Sequence, residues 1–299
     1  MPCYKPLTCY QPVPGGKVLF KKPFDIATIE MQLPCKQCLG CRIDREEQWA
    51  IRLMHETSLQ PDNHFITLTL DDENLPENRS LDHKIIQLFH KKLRHHTGMK
   101  FRYFIAGEYG HETSRPHWHG IYFNLPIDDL EIEKTHKGNK YYGSKNLDEI
   151  WGNGHIVIGE SVTLQTCVYT AGYMLKDVNK EWKTEYSILD ENTGELIPRK
   201  KPYAQMSRRP GLGSDWYEKY SSDIFPGDFC IHEGKKVKTP DYYKRKLEAE
   251  NPEAHEKVKA KRKEALKREG YKINNTPERL KVRLKVKDLN LKAITQRGF

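Results

Sequence analysis

Two histidines separated by a single tryptophan stand at the head of an apolar run at residues 115–124. In a β-strand alternate side chains point to the same face, so His117 and His119 would point together while Trp118 enters the core. Two imidazoles leave a divalent cation under-coordinated, and Glu108 is the candidate carboxylate from a neighbouring strand. The spacing therefore predicts a metal site, although such a triplet can also arise by chance in a chain with 13 His.

A pair of tyrosines and a lysine follow in a stretch whose apolar spacing predicts a helix over residues 162–178. At about 100° per residue, Tyr169, Tyr173 and Lys176 fall on one face of this helix. The apolar residues form a separate stripe of Leu164, Val168, Ala171 and Leu175. The two phenols are therefore expected to lie outside the core, where they can reach a substrate.

Transesterification of a phosphodiester needs this combination of groups. A phenol oxygen can attack phosphorus and remain bound as phosphotyrosine when a metal polarises the phosphate and a cation stabilises the phenolate. In this interpretation the histidines and Glu108 hold the metal, a tyrosine is the nucleophile, and Lys176 supplies the positive charge. Two tyrosines one turn apart allow two successive transfers, one to cut and one to rejoin. The alternative interpretation is an aromatic pair at an interface.

A cluster of three cysteines precedes these motifs. Cys35, Cys38 and Cys41 have a spacing that suits zinc, provided that Cys3, Cys9 or a histidine completes the tetrahedron. The odd total of seven cysteines argues against a disulfide framework. The open alternatives are a structural zinc site and reduced cysteines that pack under the following helix.

The composition restricts the class of protein and its partners. The 299 residues are 37% hydrophobic and include no apolar run long enough to span a membrane, and the N-terminus lacks the apolar core of a secretory signal. We therefore expect a cytoplasmic protein. The net charge of +9 is uneven, because residues 235–299 contain 21 Lys and Arg against 9 Asp and Glu. A basic segment of this kind suits nucleic acid, although a solvated helical face fits the charge equally well.

The order of predicted elements indicates an α+β fold. Alternating apolar residues predict strands at 64–70, 102–106, 117–123 and 155–159, and helical spacing predicts helices at 44–59, 81–96 and 162–178. This order is not the regular alternation of a parallel sheet, so we expect a mostly antiparallel sheet with helices on one face.

The rest of the chain completes a division into three parts. We expect an N-terminal extension with the cysteines at 1–60, a domain with the histidine and tyrosine motifs at 61–235 with its core at 61–182, and a basic, largely helical tail at 236–299. A hairpin insertion is predicted at 187–198. In the tail we predict helices at 241–247 and 252–269, whereas 281–287 could be an exposed strand or part of a helix.

The motifs together resemble those of a known group of enzymes. Residues 107–110, 115–120 and 169–176 are similar to the rolling-circle replication initiators of the HUH endonuclease superfamily. The resemblance is closer to the initiators of the gokushovirus branch of the microviruses, which are small single-stranded DNA phages. Residues 35–52 and 206–213 are also similar to that branch, so the resemblance covers roughly residues 34–216.

This resemblance implies a fold and an activity. It implies a ferredoxin-like antiparallel sheet with both histidines on a central strand, a Mg or Mn ion, and residues 64–69 in the place of the first family motif. It also implies a site-specific nick in the phage origin, which leaves a covalent 5′-phosphotyrosine and a free 3′-hydroxyl in the cytoplasm of a bacterial host. Single-stranded origin DNA and the host helicase and DNA polymerase would be the partners.

The resemblance also ranks individual residues. Single-tyrosine relatives carry a Tyr-x-x-Lys pattern that aligns with Tyr173 and Lys176, so Tyr173 would be the first nucleophile and Tyr169 its partner. Candidate DNA contacts are Arg115, Arg208 and Arg209, although the last two could also be solvated charges in a turn.

Two other classes of protein remain open from the sequence. A conjugative relaxase or transposase of the same superfamily is the nearer one, but relaxases usually carry three histidines and Glu108 stands here instead of the third. The other is a non-catalytic, zinc-containing nucleic-acid-binding protein, which would have no use for paired phenols beside a histidine pair.

Overall fold

The structure is a computed structural model that describes residues 3–13, 15–110, 112–172, 187–189 and 193–296. The strands are β1 (Leu7–Pro12), β2 (Thr28–Leu33), β3 (Asn63–Thr69), β4 (Arg102–Tyr109), β5 (Pro116–Phe123), β6 (Glu131–His136), β7 (Asn139–Gly143), β8 (Ile156–Gly159), β9 (Ile188–Leu189), β10 (Leu196–Ile197), β11 (Tyr203–Met206), β12 (Phe229–His232) and β13 (Lys235–Lys238). The helices are α1 (Leu39–Thr57), α2 (His83–Thr97), α3 (Lys145–Trp151), α4 (Leu164–Gly172), α5 (Ser214–Ile224), α6 (Asp241–Glu250), α7 (Pro252–Lys267), α8 (Glu269–Asn274) and α9 (Pro277–Gln296).

A seven-stranded sheet in the order β11-β4-β5-β3-β8-β7-β6 forms the centre of the α+β fold. Every strand pair in this sheet is antiparallel. The four middle strands follow the chain as β3-α2-β4-β5-α3-β8 and lie side by side in the order β4-β5-β3-β8, which is the ferredoxin-like arrangement. The predicted α+β class, the antiparallel sheet and the ferredoxin-like core are confirmed.

Helices cover both faces of the sheet, whereas the sequence predicted helices on one face. On one face Trp118 and Tyr122 of β5 belong to a core with α2 and α3. On the other face Ile121 and Phe123 pack with Leu53 of α1 and with α4. The expectation was wrong because every residue of β5 except His117 is buried, so both of its faces need a cover.

The exposed hairpin β6–β7 was missed in the charged segment after residue 126. All six residues of β6 are exposed, so no alternation of apolar and polar side chains marks this strand. Its turn has positive φ at Lys137 (49°) and Gly138 (83°), as the tight turns of hairpins require. Strand β7 pairs with β8, so the hairpin extends one edge of the sheet.

Predictions for the later part of the chain had mixed outcomes. The hairpin at 187–198 is confirmed by the antiparallel pairing of β9 with β10. Helices α6 and α7 confirm the predicted tail helices, and the alternating residues 281–287 lie within helix α9. Strands β11, β12 and β13 and helix α5 were not predicted, because these short elements lack a long apolar period.

The chain divides into two compact units. One unit gathers the described residues of 1–47, 226–228 and 244–299, and the other contains 48–225 and 229–243. The division at 1–60, 61–235 and 236–299 was drawn from motifs and charge, and it stays a prediction. In the part of the chain that the structure describes, we find no helix with the length and apolar character needed to span a membrane.

Candidate active site

Three adjacent strands place the predicted metal ligands on one face of the sheet. In the antiparallel register Glu108 of β4 lies opposite His117 of β5. On the other side of β5, Thr67 of β3 lies opposite His119. Residues that lie opposite each other on neighbouring strands project to the same face. The pairing therefore brings all four side chains to one patch of the sheet.

The Trp118 ring packs closely against Gly107 on the face of the sheet opposite to the candidate ligands. The indole Nε1 of Trp118 donates a hydrogen bond to Tyr203 Oη on β11 at 2.9 Å, so the ring crosses β4. A Cβ atom at Gly107 would come within 2.8 Å of that Nε1. Glycine is therefore required beside Glu108, because a larger residue would displace the ring that supports β5.

The three candidate ligands converge on one point. His117 Nε2 lies 3.1 Å and His119 Nε2 lies 3.2 Å from the same Glu108 Oε1 atom. Their ligand atoms form one of two groups among the described residues that could hold a metal ion. Edges of an octahedron with metal–ligand bonds of about 2.1 Å are about 3 Å long, so these separations suit a small divalent cation.

Hydrogen bonds at the other ring nitrogens orient both imidazoles so that their Nε2 atoms face Glu108. His117 Nδ1 lies 3.2 Å from the Arg115 carbonyl oxygen, which can only accept, so Nδ1 donates while Nε2 faces Glu108. His119 Nδ1 lies 3.0 Å from Thr67 Oγ1. Outer hydrogen bonds of this kind orient histidine ligands in metal sites. Thr67 was not predicted as part of the site, although it lies in the first predicted strand.

Tyr169 of α4 extends from the helix towards the histidines. Its hydroxyl oxygen lies 3.4 Å from His119 Nε2, and its side chain is half exposed. The Phe65 ring is stacked parallel to His119 and meets Tyr169 edge on. A phenol oxygen therefore lies at the edge of the histidine–carboxylate cluster, accessible from solvent.

The buried side of α4 differs in detail from the predicted stripe. Cys167, Thr170 and Ala171 are buried, whereas Leu164 and Val168 are only partly buried. Helix α4 begins with reciprocal hydrogen bonds between the backbone N–H and hydroxyl groups of Thr163 and Thr166. The predicted Tyr173 and Lys176 lie outside the described residues.

The three arginines predicted to contact DNA have different surroundings. Arg115 is engaged within the chain, since its guanidinium forms an ion pair with Asp72 and donates to the Leu70 carbonyl oxygen at 2.8 Å. The hydrogen bond from Arg115 lowers the pKa of the Asp72 carboxyl group. Arg208 and Arg209 are exposed. Their contacts with DNA stay predictions.

The segment at 207–213, which carries Arg208 and Arg209, is held in place by side chains that hydrogen-bond to its backbone. Arg52 donates to the Leu212 carbonyl oxygen at 2.9 Å, and Arg102 donates to that of Pro210 at 2.8 Å. The buried Glu56 accepts from Gly213 N–H at 2.7 Å and forms an ion pair with Arg102. Burial raises the pKa of Glu56, and the arginines oppose that shift. Leu212 packs in the core on the α4 side of the sheet.

The cysteine cluster gains a fourth member. Cys3 joins Cys35, Cys38 and Cys41, and all four sulfur atoms lie within 4.8 Å of one another. Of the alternatives that the sequence left open, the structure selects Cys3. Cys9 lies outside this group, and its thiol donates to the Met31 carbonyl oxygen at 3.4 Å.

Comparisons with known proteins identify the family. A family model described as Replication-associated protein ORF2/G2P matches residues 63–178. Replication-associated protein VP4 of Bdellovibrio phage phiMH2K is 30% identical over 277 residues, covering 88% of this chain and 84% of the phage protein. Replication-associated protein ORF2 of Spiroplasma virus 4 is 31% identical over 277 residues, covering 84% of this chain and 81% of that protein.

A third relative matches over a shorter region. Replication-associated protein ORF4 of Chlamydia phage 1 is 30% identical over 233 residues, covering 74% of this chain and 55% of that protein. No solved structure matches the chain. The chain therefore belongs to the family of phage replication-associated proteins, and the resemblance found in its motifs is confirmed.

Proposed function

We propose that the protein nicks and rejoins single-stranded DNA at a phage origin through a covalent tyrosine–phosphate link, and so initiates rolling-circle replication. Membership of the family assigns the chain to phage DNA replication. The nicking mechanism is supported by the position of the Tyr169 hydroxyl, which lies 3.4 Å from His119 Nε2. His119 and His117 both contact the same oxygen atom of Glu108.

The donor set fits a divalent cation such as Mg²⁺ or Mn²⁺. Two neutral imidazoles and one carboxylate are ligands that Mn²⁺ accepts, and the carboxylate also suits Mg²⁺. Glu108, His117 and His119 would hold the ion. When bound, the cation supplies Lewis-acid polarisation of the scissile phosphate.

Tyrosine carries out the group transfer in this proposal. The phenol loses its proton, its oxygen forms a bond to phosphorus, and the bond from phosphorus to the 3′ oxygen breaks. The 3′ oxygen takes up a proton and becomes a free hydroxyl, while the 5′ phosphate stays on the tyrosine. In the reverse step a 3′-hydroxyl attacks this phosphotyrosine and releases the phenol. Tyr169 and Tyr173 would alternate, with Lys176 stabilising the phenolate.

The anchored segment at 207–213 is the proposed contact with the DNA backbone. Guanidinium groups bind phosphates through paired hydrogen bonds, and Arg208 and Arg209 are exposed on a backbone held by three buried or half-buried side chains. A fixed backbone lowers the entropy lost when the arginines bind. This segment would position the DNA strand on the face of the sheet that α4 covers.

A nicking assay tests the proposal. Labelled single-stranded fragments that tile the phage genome are incubated with the protein and Mn²⁺ or Mg²⁺. We expect one fragment to be cut, with a 3′ end that a polymerase extends and a 5′ end blocked to phosphatase and kinase. Glu108→Gln and His119→Ala should each lower the rate by at least about 100-fold, because each removes a cation ligand.

The control is His136→Ala, since His136 is exposed on β6 and belongs to no candidate site. This variant should cut at the rate of the unaltered protein. Cleavage that persists in EDTA, or that is unchanged in Glu108→Gln, would contradict the metal site. The absence of cutting across all fragments by folded, cation-loaded protein would contradict the enzyme and favour a binding protein.

A further inference from the structure

The four clustered cysteines form a site that the proposed nicking chemistry does not use. Cys3 lies near the N-terminus, Cys35 and Cys38 lie in the turn before α1, and Cys41 lies in the first turn of that helix. Cys3 and Cys35 are 32 positions apart in the sequence, so the cluster joins two distant parts of the chain.

The separations between sulfur atoms match those around a zinc ion. Cys3 Sγ lies 3.5 Å from Cys35 Sγ and 3.7 Å from Cys38 Sγ. Four thiolates at Zn–S distances of about 2.3 Å form a tetrahedron whose edges are about 3.8 Å. A disulfide would need a sulfur separation of about 2.0 Å, and none of the seven cysteines is in a disulfide.

Backbone amides are already arranged around these sulfur atoms. Cys35 N–H donates to Cys3 Sγ at 3.2 Å, Tyr4 N–H to Cys38 Sγ at 3.3 Å, and Cys38 N–H to Cys35 Sγ at 3.3 Å. Amide donors stabilise negative charge on ligating sulfur, and the N-terminus of α1 adds a partial positive charge beside Cys41. The turn also requires a positive φ of 60° at Lys36.

We propose that Cys3, Cys35, Cys38 and Cys41 bind one structural Zn²⁺ ion that seats the basic C-terminal helix α9. Leu280 of α9 is buried in the same small cluster as Tyr4 and Cys38, and Leu284 packs against it. Only Tyr4, Cys38 and Leu280 are buried in this small cluster, so a metal crosslink would add to its stability. Zinc binding would therefore hold α9, with its six Lys and Arg against two acidic residues, in one place.

The first test is the zinc content of the full chain. The protein is expressed with zinc, dialysed, and analysed by mass spectrometry of metals in a His117→Ala/His119→Ala background, which removes the other candidate cation site. We expect one zinc per chain and a cobalt-substituted form with the intense charge-transfer bands of four thiolates. Failure of the nicking proposal would leave this result unchanged.

Variants of one ligand provide the controls. Cys3→Ser should lower zinc affinity at least about 100-fold, and Cys3→His, which restores a zinc ligand, should recover part of it. Cys9→Ala removes a buried thiol of the same unit and should retain full zinc. Zinc-free wild-type protein, retention of zinc by Cys3→Ser, or an intact mass showing disulfides among these cysteines would overturn the proposal.

Limited proteolysis tests the link to α9. After zinc removal by a chelator, we expect cleavage within residues 277–296 to accelerate at least about 10-fold, while cleavage within β6–β7 stays unchanged. Equal rates of cleavage within α9 with and without zinc would refute the proposal that the ion holds this helix in place.

Discussion

At the scale of single residues, the candidate site depends on what orients each imidazole. The sequence predicted Glu108, His117 and His119 because side chains alternate on strands, and the structure brings them together. It could not predict Thr67, since a threonine in a strand is common and only the register of β3 with β5 places it opposite His119. Tyr169 was predicted from helical spacing, and its distance from His119 needed the tertiary packing of α4.

Thr67 gives a prediction at this scale. Thr67→Val keeps the shape but removes the hydroxyl group that lies 3.0 Å from His119 Nδ1. We expect Mn²⁺ affinity, measured by calorimetry, to fall about 10- to 100-fold, as for other outer-sphere partners of histidine ligands. Thr67→Ser should restore the affinity, because it restores the hydroxyl. Unaltered affinity in Thr67→Val would show that this hydroxyl does not orient the ligand.

At the scale of elements, long apolar periods were predictable and short or polar elements were not. Strands β3, β4 and β5 and helix α2 were predicted within a few residues of their ends, because each buries a full face. Strand β6 exposes all its residues and depends on pairing with β7, which no local pattern reveals. The cover on both faces of the sheet was also missed, since the sequence does not say which helix packs on which face.

Helix α2 gives a prediction about pH. His90 is buried against the sheet, and its Nε2 lies 3.0 Å from Tyr122 Oη. Burial, helped by Arg94, lowers the pKa of His90 to about 3. The unfolded chain has a histidine pKa of about 6.5, so it takes up a proton first as the pH falls. The stabilising contribution is therefore present above about pH 6.5 and is lost as the pH falls towards about 3.

The measurement is the free energy of unfolding in urea at several pH values between 7 and 4. Loss of this contribution should reach at most about 1.4 kcal/mol per pH unit, and His90→Gln should show a correspondingly smaller slope than the unaltered protein. His95→Gln changes an exposed histidine of the same helix and should keep the original slope. Equal slopes in the His90 variant would contradict a buried, neutral imidazole.

At the scale of the whole molecule, composition suggested a nucleic-acid partner but no mechanism. The excess of Lys and Arg after residue 235 was visible in the sequence, and α7 to α9 now account for most of it as helices. The meeting of Cys3 with the later cysteines could not be predicted from spacing, because it requires the N-terminal segment to fold back over the start of α1.

The basic tail gives a prediction about salt. Lys281 and Lys285 are exposed on α9, and a Lys281→Gln/Lys285→Gln variant should bind single-stranded DNA less tightly. The slope of log affinity against log salt should fall by about 0.7 for each phosphate that a lysine no longer neutralises, or about 1.4 in total. Lys91→Gln/Lys92→Gln removes the same charge from the exposed side of α2 and serves as the control. Equal slopes in both variants would contradict a role for α9 in DNA binding.

The most direct measurement for the proposed transesterification is the covalent bond itself. Labelled origin DNA, protein and Mn²⁺ are mixed, and a protein–DNA band is sought that survives denaturant. We predict an adduct whose peptide mass places the nucleotide on Tyr169 or Tyr173, and which disappears when both Tyr169→Phe and Tyr173→Phe are present. An adduct that persists in this folded double variant, or cutting without any adduct, would contradict the tyrosine mechanism.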